Sequence, residues 1–149
     1  MASVREKRQA AIRELVRSEH IASQHDLADA LATRGFSVAQ ATISRDMTAL
    51  SLVKDGNGRY VLPEDMRLQT MARTAVLETR RAANLIVVIT KPGSASSVAA
   101  AIDDARLDGV LGSIAGDDTV LVIAADEQAG AGFEKRIGAL QAPARGKRG

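Results

Sequence analysis

The sequence predicts an α+β fold in two small domains, and three observations carry this prediction. Three segments with helical apolar periodicity precede a pair of short strand-like runs. The rest of the chain follows the order ββαββα. Of the 149 residues, 46% are hydrophobic but only 2% are aromatic, so both cores must be built from Ala, Val, Ile and Leu. We expect a first domain at 1–62, a linker at 63–75, a second domain at 76–140 and a basic tail at 141–149.

An apolar stripe and a capping pattern predict the first two helices. The first helix ends before His20, and the second opens at Ser23, which is followed three residues later by Asp26. Gly35 ends the second helix. The residues expected to be buried are Ile12, Leu15 and Val16 in the first helix and Leu27, Ala28 and Leu31 in the second.

A third helix and a hairpin complete the predicted first domain. The helix begins near 37–39 and carries Ile43, Met47 and Leu50 on one face. Two short strand-like runs then flank 55–58, whose letters DGNG are a strong hairpin signal. Three helices closed by a two-stranded ribbon form the winged helix-turn-helix arrangement.

The second domain is predicted as a four-stranded antiparallel sheet with two helices on one face. The segment before it, from Pro63, has mixed charge and no strong period, and is therefore interpreted as a linker. The predicted segments are strands 76–80 and 85–90, a helix opened by Pro92-Gly93-Ser94, strands 109–114 and 119–124, and a last helix at 127–140.

Composition excludes several classes of function. There is no Cys, which excludes disulfides, thiol catalysis and cysteine metal sites, and the two His leave little for a zinc site or an acid-base triad. No apolar run approaches a membrane span and the start lacks a signal peptide, so a cytoplasmic protein without a membrane partner is expected. Residues 1–62 carry nine bases and seven acids, whereas 82–139 carry four bases and eight acids. The first segment is therefore net positive and the second net negative, which suggests a polyanionic partner for the first domain and a cation for the second.

The third helix has a polar, cationic face. With Ile43 and Met47 inward, helical rotation turns Ala41, Ser44, Arg45 and Thr48 outward, while Gln40 lies at the N-terminal end. Such side chains can read base edges in the major groove of DNA. The alternative is a solvated surface with a Ser37–Gln40 capping box. Asp46 is interpreted as a local salt-bridge or capping partner. The candidate phosphate contacts are Arg5, Lys7, Arg8, Arg13, Lys54 and Arg59.

Two adjacent carboxylates, Asp117 and Asp118, lie at a glycine-assisted turn. Crowded carboxylates favour a guanidinium, an ammonium or a metal ion, and a metal is disfavoured because no His or Cys is near. The alternative is an ordinary Asp-rich hairpin turn. The helix start at 93–95 offers N–H groups that could hold a carboxylate.

These residues resemble those of the bacterial arginine repressors, in order and over about residues 7–140. The matching stretches are the segment QATISRD from Gln40 to Asp46, the wing DGNGRYVLP, the junction Pro92-Gly93, and GSIAGDDT from Gly112 to Thr119. The combination of both halves is highly specific, whereas either half alone is only suggestive.

The resemblance implies a regulator without catalysis or metal, which binds double-stranded operator boxes of arginine metabolism genes. It also implies a homohexamer, as a dimer of trimers, with L-arginine as corepressor between subunits and no other cofactor. Ser44 and Arg45 then occupy base-reading positions. The complete DNA-binding set is Gln40, Thr42, Ser44, Arg45, Thr48, Lys54 and Arg59. The L-arginine ligands carried over are Asp117, Asp118, Asp103 and Ser96.

The chain departs from the family pattern at two of its positions. Family members often carry Thr where this chain has Ala39, which leaves Ser37 as the candidate cap of the third helix. They often carry Gln or His where it has Ser96, and a shorter side chain there would bind through water or contribute nothing.

Two alternatives from other classes stay open. One is a DNA-binding protein whose C-terminal domain only oligomerises. The other is a small-molecule enzyme that uses Asp117 and Asp118 as acid and base, although no nucleophile or His accompanies them.

Overall fold

The computed structural model describes residues 1–142, which form two compact units that divide after Pro63. The first unit holds three helices and a small antiparallel ribbon, and the predicted winged helix-turn-helix is confirmed. Its elements are α1 (Val4–Ser18), α2 (Gln24–Thr33), α3 (Gln40–Ala49), β1 (Val53–Lys54) and β2 (Tyr60–Val61).

The apolar stripes of the three helices meet in one core. Ile12, Leu15, Leu27 and Leu31 are fully buried there, whereas Ala28 is half-buried and not buried as expected. At the start of α2, the Asp26 backbone N–H donates to Ser23 Oγ at 3.0 Å, which confirms the cap.

The start of α3 lacks the cap that the sequence predicted. Its N-cap residue is Ala39, in extended conformation, and no side chain accepts from the first turn. Ser37 lies two residues before this position, outside the reach of the N2 and N3 amides that a cap side chain must meet. The prediction that Ser37 replaces the missing Thr is therefore wrong.

The wing between β1 and β2 is organised by the carboxylate of Asp55. Its Oδ1 accepts the backbone N–H groups of Asn57 at 2.9 Å and Arg59 at 3.0 Å. Gly58 has a φ of +73°, a conformation that L side chains rarely adopt. The hairpin prediction at 55–58 is confirmed.

The segment interpreted as a linker is helix α4 (Pro63–Thr74). Leu68 and Ala72 lie one turn apart and are each 1% exposed, and Leu68 belongs to the core of the second unit. Pro63 begins the helix, where its missing N–H costs nothing, and Glu64 and Asp65 follow in the first turn. A narrow apolar stripe among charged residues was therefore sufficient to dock this helix.

The second unit is the predicted four-stranded antiparallel sheet, with strand order β3-β4-β6-β5. Its elements after α4 are β3 (Val76–Ala82), β4 (Leu85–Thr90), α5 (Ala95–Ala105), β5 (Val110–Ala115), β6 (Thr119–Ala124) and α6 (Glu127–Gln141). Of the predicted basic tail, Gln141 is the last residue of α6, and residues 143–149 lie outside those described.

The two faces of this sheet differ in burial. Ile86 and Val88 of β4 and Val120 and Val122 of β6 are fully buried in the core that includes α5 and α6. The alternate residues of the same strands point to the other face and are half-buried or exposed. The apolar residues on this open face of β4 and β6 are Leu85, Val87, Ile89, Leu121 and Ile123.

No helix within the described residues is long and apolar enough to cross a membrane.

Candidate functional site

Helix α3 presents the outward face that the sequence predicted. Ile43 and Met47 are buried, whereas Gln40, Arg45 and Thr48 are exposed. Thr42 and Ser44 are half-buried at the margins of this face. Arg45 is thus a freely presented guanidinium on a helix whose back is anchored in the core, as reading a guanine edge requires.

Two of the polar side chains on this face have neighbours within the unit. The Thr48 hydroxyl donates to the Ser44 carbonyl at 3.1 Å, and Gln40 Nε2 donates to Gln24 Oε1 on α2 at 3.4 Å. Both bonds are solvent-exposed, so a base or phosphate can replace them at small cost.

The wing holds its two predicted cations differently. The Lys54 ammonium lies 5.2 Å from the centre of the Tyr60 ring, a cation–π geometry that leaves its charge exposed. Arg59 Nε lies 3.4 Å from Asp55 Oδ2, so this guanidinium is partly neutralised by the residue that shapes the wing.

The prediction that Arg8 contacts a phosphate is wrong. Arg8 is 8% exposed, and its guanidinium forms a two-pronged ion pair with the carboxylate of Asp46 on α3. Gln9 Nε2 donates to the same carboxylate at 3.2 Å. Arg8 is therefore not available to a phosphate, and Asp46 is a salt-bridge partner of a residue 38 positions away, not of a local one.

The pKa values of this ion pair follow from its surroundings. Burial raises the pKa of Asp46, but the hydrogen bonds from Arg8 and Gln9 and the charges of Arg8 and Arg5 hold it below its ordinary value. The hydrogen bond to Asp46 raises the pKa of Arg8. Both groups are charged at neutral pH.

The acidic turn between β5 and β6 meets the start of α5. The Gly93 N–H donates to Asp117 Oδ2 at 3.3 Å, and the Ala95 N–H donates to the Asp117 carbonyl at 3.2 Å. Asp118 is anchored through its carbonyl, which accepts the Thr90 N–H at 2.8 Å. Both carboxylates are exposed. Ser96 is exposed in the first turn of α5 and directly follows Ala95, whose N–H bonds the Asp117 carbonyl.

Asp103 belongs to a different part of the second unit. It lies near the end of α5, about 12 Å along the helix from Ala95 at 1.5 Å per residue. Its Oδ1 accepts the Ser113 hydroxyl at 3.0 Å. Within one chain the turn with Asp117 and Asp118 therefore meets the start of α5, where Ser96 lies, whereas Asp103 lies near the other end of that helix.

Among the described residues, no group of three or more His, Cys, Asp or Glu side chains is arranged to hold a metal ion. At the acidic turn the structure presents two exposed carboxylates, and paired carboxylates can bind a cationic group such as a guanidinium.

A winged helix with an exposed basic recognition face, joined in one chain to a sheet domain with an acidic turn, defines a DNA-binding regulatory protein. Two family models match it: "Arginine repressor, DNA binding domain" over residues 4–68 and "Arginine repressor, C-terminal domain" over residues 72–139. The chain belongs to the arginine repressor family, and it is an arginine-responsive transcriptional regulator.

Its relatives span both domains. It is 47% identical to the arginine repressor of Symbiobacterium thermophilum, over 80% of this chain and 87% of that one. It is 39% identical to the arginine repressor of Thermus thermophilus, over 90% of this chain and 88% of that one. It is 36% identical to the arginine repressor of Bacillus velezensis, over 88% of this chain and 95% of that one.

Proposed function

We propose that this protein represses genes of arginine metabolism by binding their operator DNA in the major groove through α3, with L-arginine as corepressor. The single observation that carries the proposal is the presence in one chain of an exposed recognition face and an acidic turn, in the order of both arginine repressor domains. The family identity favours regulation over catalysis.

In this proposal Arg45 reads a base edge and Ser44, Thr48 and Gln40 add contacts to bases or backbone. Thr42, at the margin of the face, contacts a phosphate. Lys54 and Arg59 bind phosphates in the adjacent groove, as a wing placed directly after a recognition helix allows. Lys54 contributes more than Arg59, because Arg59 must first exchange its contact with Asp55.

L-Arginine binds at the acidic turn in this proposal. The carboxylates of Asp117 and Asp118 take its cationic groups, since exposed paired carboxylates gain most from a planar guanidinium. Ser96 bonds through its short hydroxyl, directly or through water. Asp103 lies too far along α5 to complete the same site within one chain, so it contributes from a neighbouring subunit.

We further propose that the second unit assembles six chains as a dimer of trimers. The support is apolar surface: Leu77, Leu111 and Ile114 are 58%, 71% and 66% exposed, and the open sheet face is apolar along β4 and β6. Monomeric proteins rarely expose so continuous an apolar surface.

This proposal also places the protein, bound to DNA, in the cytoplasm.

The test is DNA binding with three amino acids compared. A duplex is enriched from a random-sequence pool by the protein with L-arginine, and its gel shift is measured with L-arginine, L-lysine or L-citrulline. L-Citrulline keeps the length of arginine but lacks its charge, and L-lysine keeps the charge but lacks the planar fork. We expect enhancement by L-arginine alone. Equal enhancement by all three, or by none, would contradict the corepressor assignment, and failure to enrich any sequence would contradict operator binding.

A further inference from the structure

The carboxylate of Asp46 accepts three side-chain hydrogen bonds in the interior of the first unit. Asp46 is 2% exposed, and Arg8 Nη2 donates to its Oδ1 at 3.1 Å while Arg8 Nε donates to its Oδ2. Gln9 Nε2 adds a third donor to Oδ1 at 3.2 Å. We call Arg8, Gln9 and Asp46 the α1–α3 clamp. It joins two helices by directional bonds, with Arg8 and Asp46 buried and Gln9 half-buried at the edge of the site.

The clamp lies on the side of α3 opposite the recognition face. Asp46 is two residues after Ser44, a rotation of about 200° around a helix with 3.6 residues per turn. The donors come from a helix that is itself well anchored. Ser3 and Glu6 form a capping box at the start of α1, with both bonds at 3.1 Å.

The rest of the packing of α3 is less directional. Ile43, Met47 and Leu50 bury apolar surface, which holds the helix in the core but tolerates small rotations about its axis. The start of α3 has no side-chain cap, and its bond from Gln40 to Gln24 is long and exposed to water, so neither opposes such a rotation strongly. A rotation of about 20° moves a side chain that lies about 6 Å from the axis by about 2 Å. Such a shift exceeds the tolerance of a bidentate hydrogen bond to a base.

We infer that the α1–α3 clamp sets the rotation of the recognition helix, so that Arg8, Gln9 and Asp46 are positioning residues for sequence discrimination by Arg45. This inference rests on the proposed reading of DNA by α3. It goes beyond that proposal because none of the three residues is among the side chains proposed to contact DNA. The loss of the clamp therefore lowers operator affinity while the affinity for random DNA, which depends on phosphate contacts, is unchanged.

The decisive variant removes both charges together. Breaking one side leaves a buried unpaired charge and destabilises the fold, whereas replacing both partners by apolar residues of similar size is often neutral for stability. The full-length Arg8→Met, Asp46→Leu double variant is compared with wild type on the enriched duplex and on a random duplex of equal length, with L-arginine and over a range of salt concentrations. Thermal unfolding, followed by the fluorescence of Tyr60, shows that the domain is folded, because Tyr60 is the only Tyr and there is no Trp.

We expect the ratio of the affinity for the enriched duplex to the affinity for the random duplex to fall by about tenfold in the double variant. The salt dependence of binding to random DNA should be unchanged. A folded double variant with wild-type discrimination would overturn the inference. An equal loss on both duplexes would overturn it as well, because it would show a general loss of DNA binding.

A second variant decides the question if the double variant does not fold. Arg8→Lys keeps the charge that neutralises Asp46 but replaces the two-pronged contact by a single donor. We expect it to fold and to lose part of the discrimination, and full discrimination would overturn the inference. The matched control is Arg34→Lys, which changes an exposed ion pair, at 2.5 Å, between the residue directly after α2 and Glu14 of α1, and leaves discrimination unchanged. If wild type itself does not prefer the enriched duplex, the proposed operator binding fails, and the inference fails with it.

Discussion

Arg45 combines an exposed guanidinium with a backbone held by buried neighbours, Asp46 and Met47. Replacing it with Ala removes the proposed base contact without disturbing the core. We expect Arg45→Ala to weaken binding to the enriched duplex by about 1–3 kcal/mol, and binding to random DNA by less, with an unchanged oligomer size. Gel shifts with the two duplexes measure the two affinities, and size-exclusion chromatography measures the oligomer size. Equal weakening on the two duplexes would mean that Arg45 contacts phosphate.

Asp46 makes the first unit sensitive to acid. Because its pKa is lowered in the folded state, its contribution to stability is fully present above the unfolded pKa of about 3.9 and is lost as pH falls through the folded value. Urea unfolding of wild type, followed by Tyr60 fluorescence, should therefore show stability falling below about pH 4.

The comparison that isolates this carboxylate uses Asp46→Asn. The variant is less stable than wild type at neutral pH, because Arg8 loses its charged partner, and its stability falls less steeply below about pH 4. Asp29→Asn, an exposed change on α2, serves as the control and leaves the Arg8 contact intact. An Asp46→Asn variant with the acid response of wild type would assign that response to other groups.

Substitutions at two glycines of helix α6 test how closely this helix packs against the sheet. A Cβ at Gly130 would lie 2.8 Å from the Ala83 carbonyl oxygen in the turn between β3 and β4, whereas a Cβ at Gly138 meets nothing within 4 Å. We expect Gly130→Ala to destabilise the second unit by about 1–3 kcal/mol, through overpacking against backbone. Gly138→Ala should stabilise it by about 0.5–1 kcal/mol, because Ala restricts the unfolded chain.

Urea unfolding followed by circular dichroism at one protein concentration measures both changes, since assembly makes stability depend on concentration. Tyr60 fluorescence provides the internal reference, because the first unit is untouched. Two alanine variants of equal stability would show that the helix adjusts its position without cost.

The proposed coupling between ligand and DNA depends on the acidic turn. Asp117→Asn and Asp118→Asn each remove one charge and keep the shape of the side chain, so L-arginine loses a partner while the winged helix is unaffected. We expect the L-arginine-dependent enhancement of operator binding to disappear in both variants. Residual binding without arginine should keep the salt dependence of wild type, because it rests on phosphate contacts.

Asp108→Asn is the matched control for this charge change. Asp108 is a carboxylate of the same unit, outside the proposed ligand set, and its variant should respond fully to L-arginine. Gel shifts at increasing L-arginine give the result. Full enhancement in the Asp117 and Asp118 variants would leave the acidic turn as an ordinary hairpin turn and place the ligand elsewhere.

Local patterns in the chain were sufficient to predict most of its elements. The Ser23 cap, the hairpin letters at 55–58 and the apolar run LIVVIT at 85–90 each act over a few residues, and each recurs in the structure as expected. The outward face of α3 follows from helical rotation alone once Ile43 and Met47 are inward. Short-range hydrogen bonds and apolar periodicity are properties of the sequence itself, so they can be read without knowing the fold.

Contacts between distant residues required the folded chain. Arg8 and Asp46 are 38 positions apart, and only the packing of α1 against α3 turns a presumed phosphate contact into a buried ion pair. The helix at 63–74 exists because the core of the second unit accepts Leu68, and the separation of Asp103 from Asp117 follows from the length of α5. Burial and long-range pairing depend on which surfaces meet, and no local pattern encodes that.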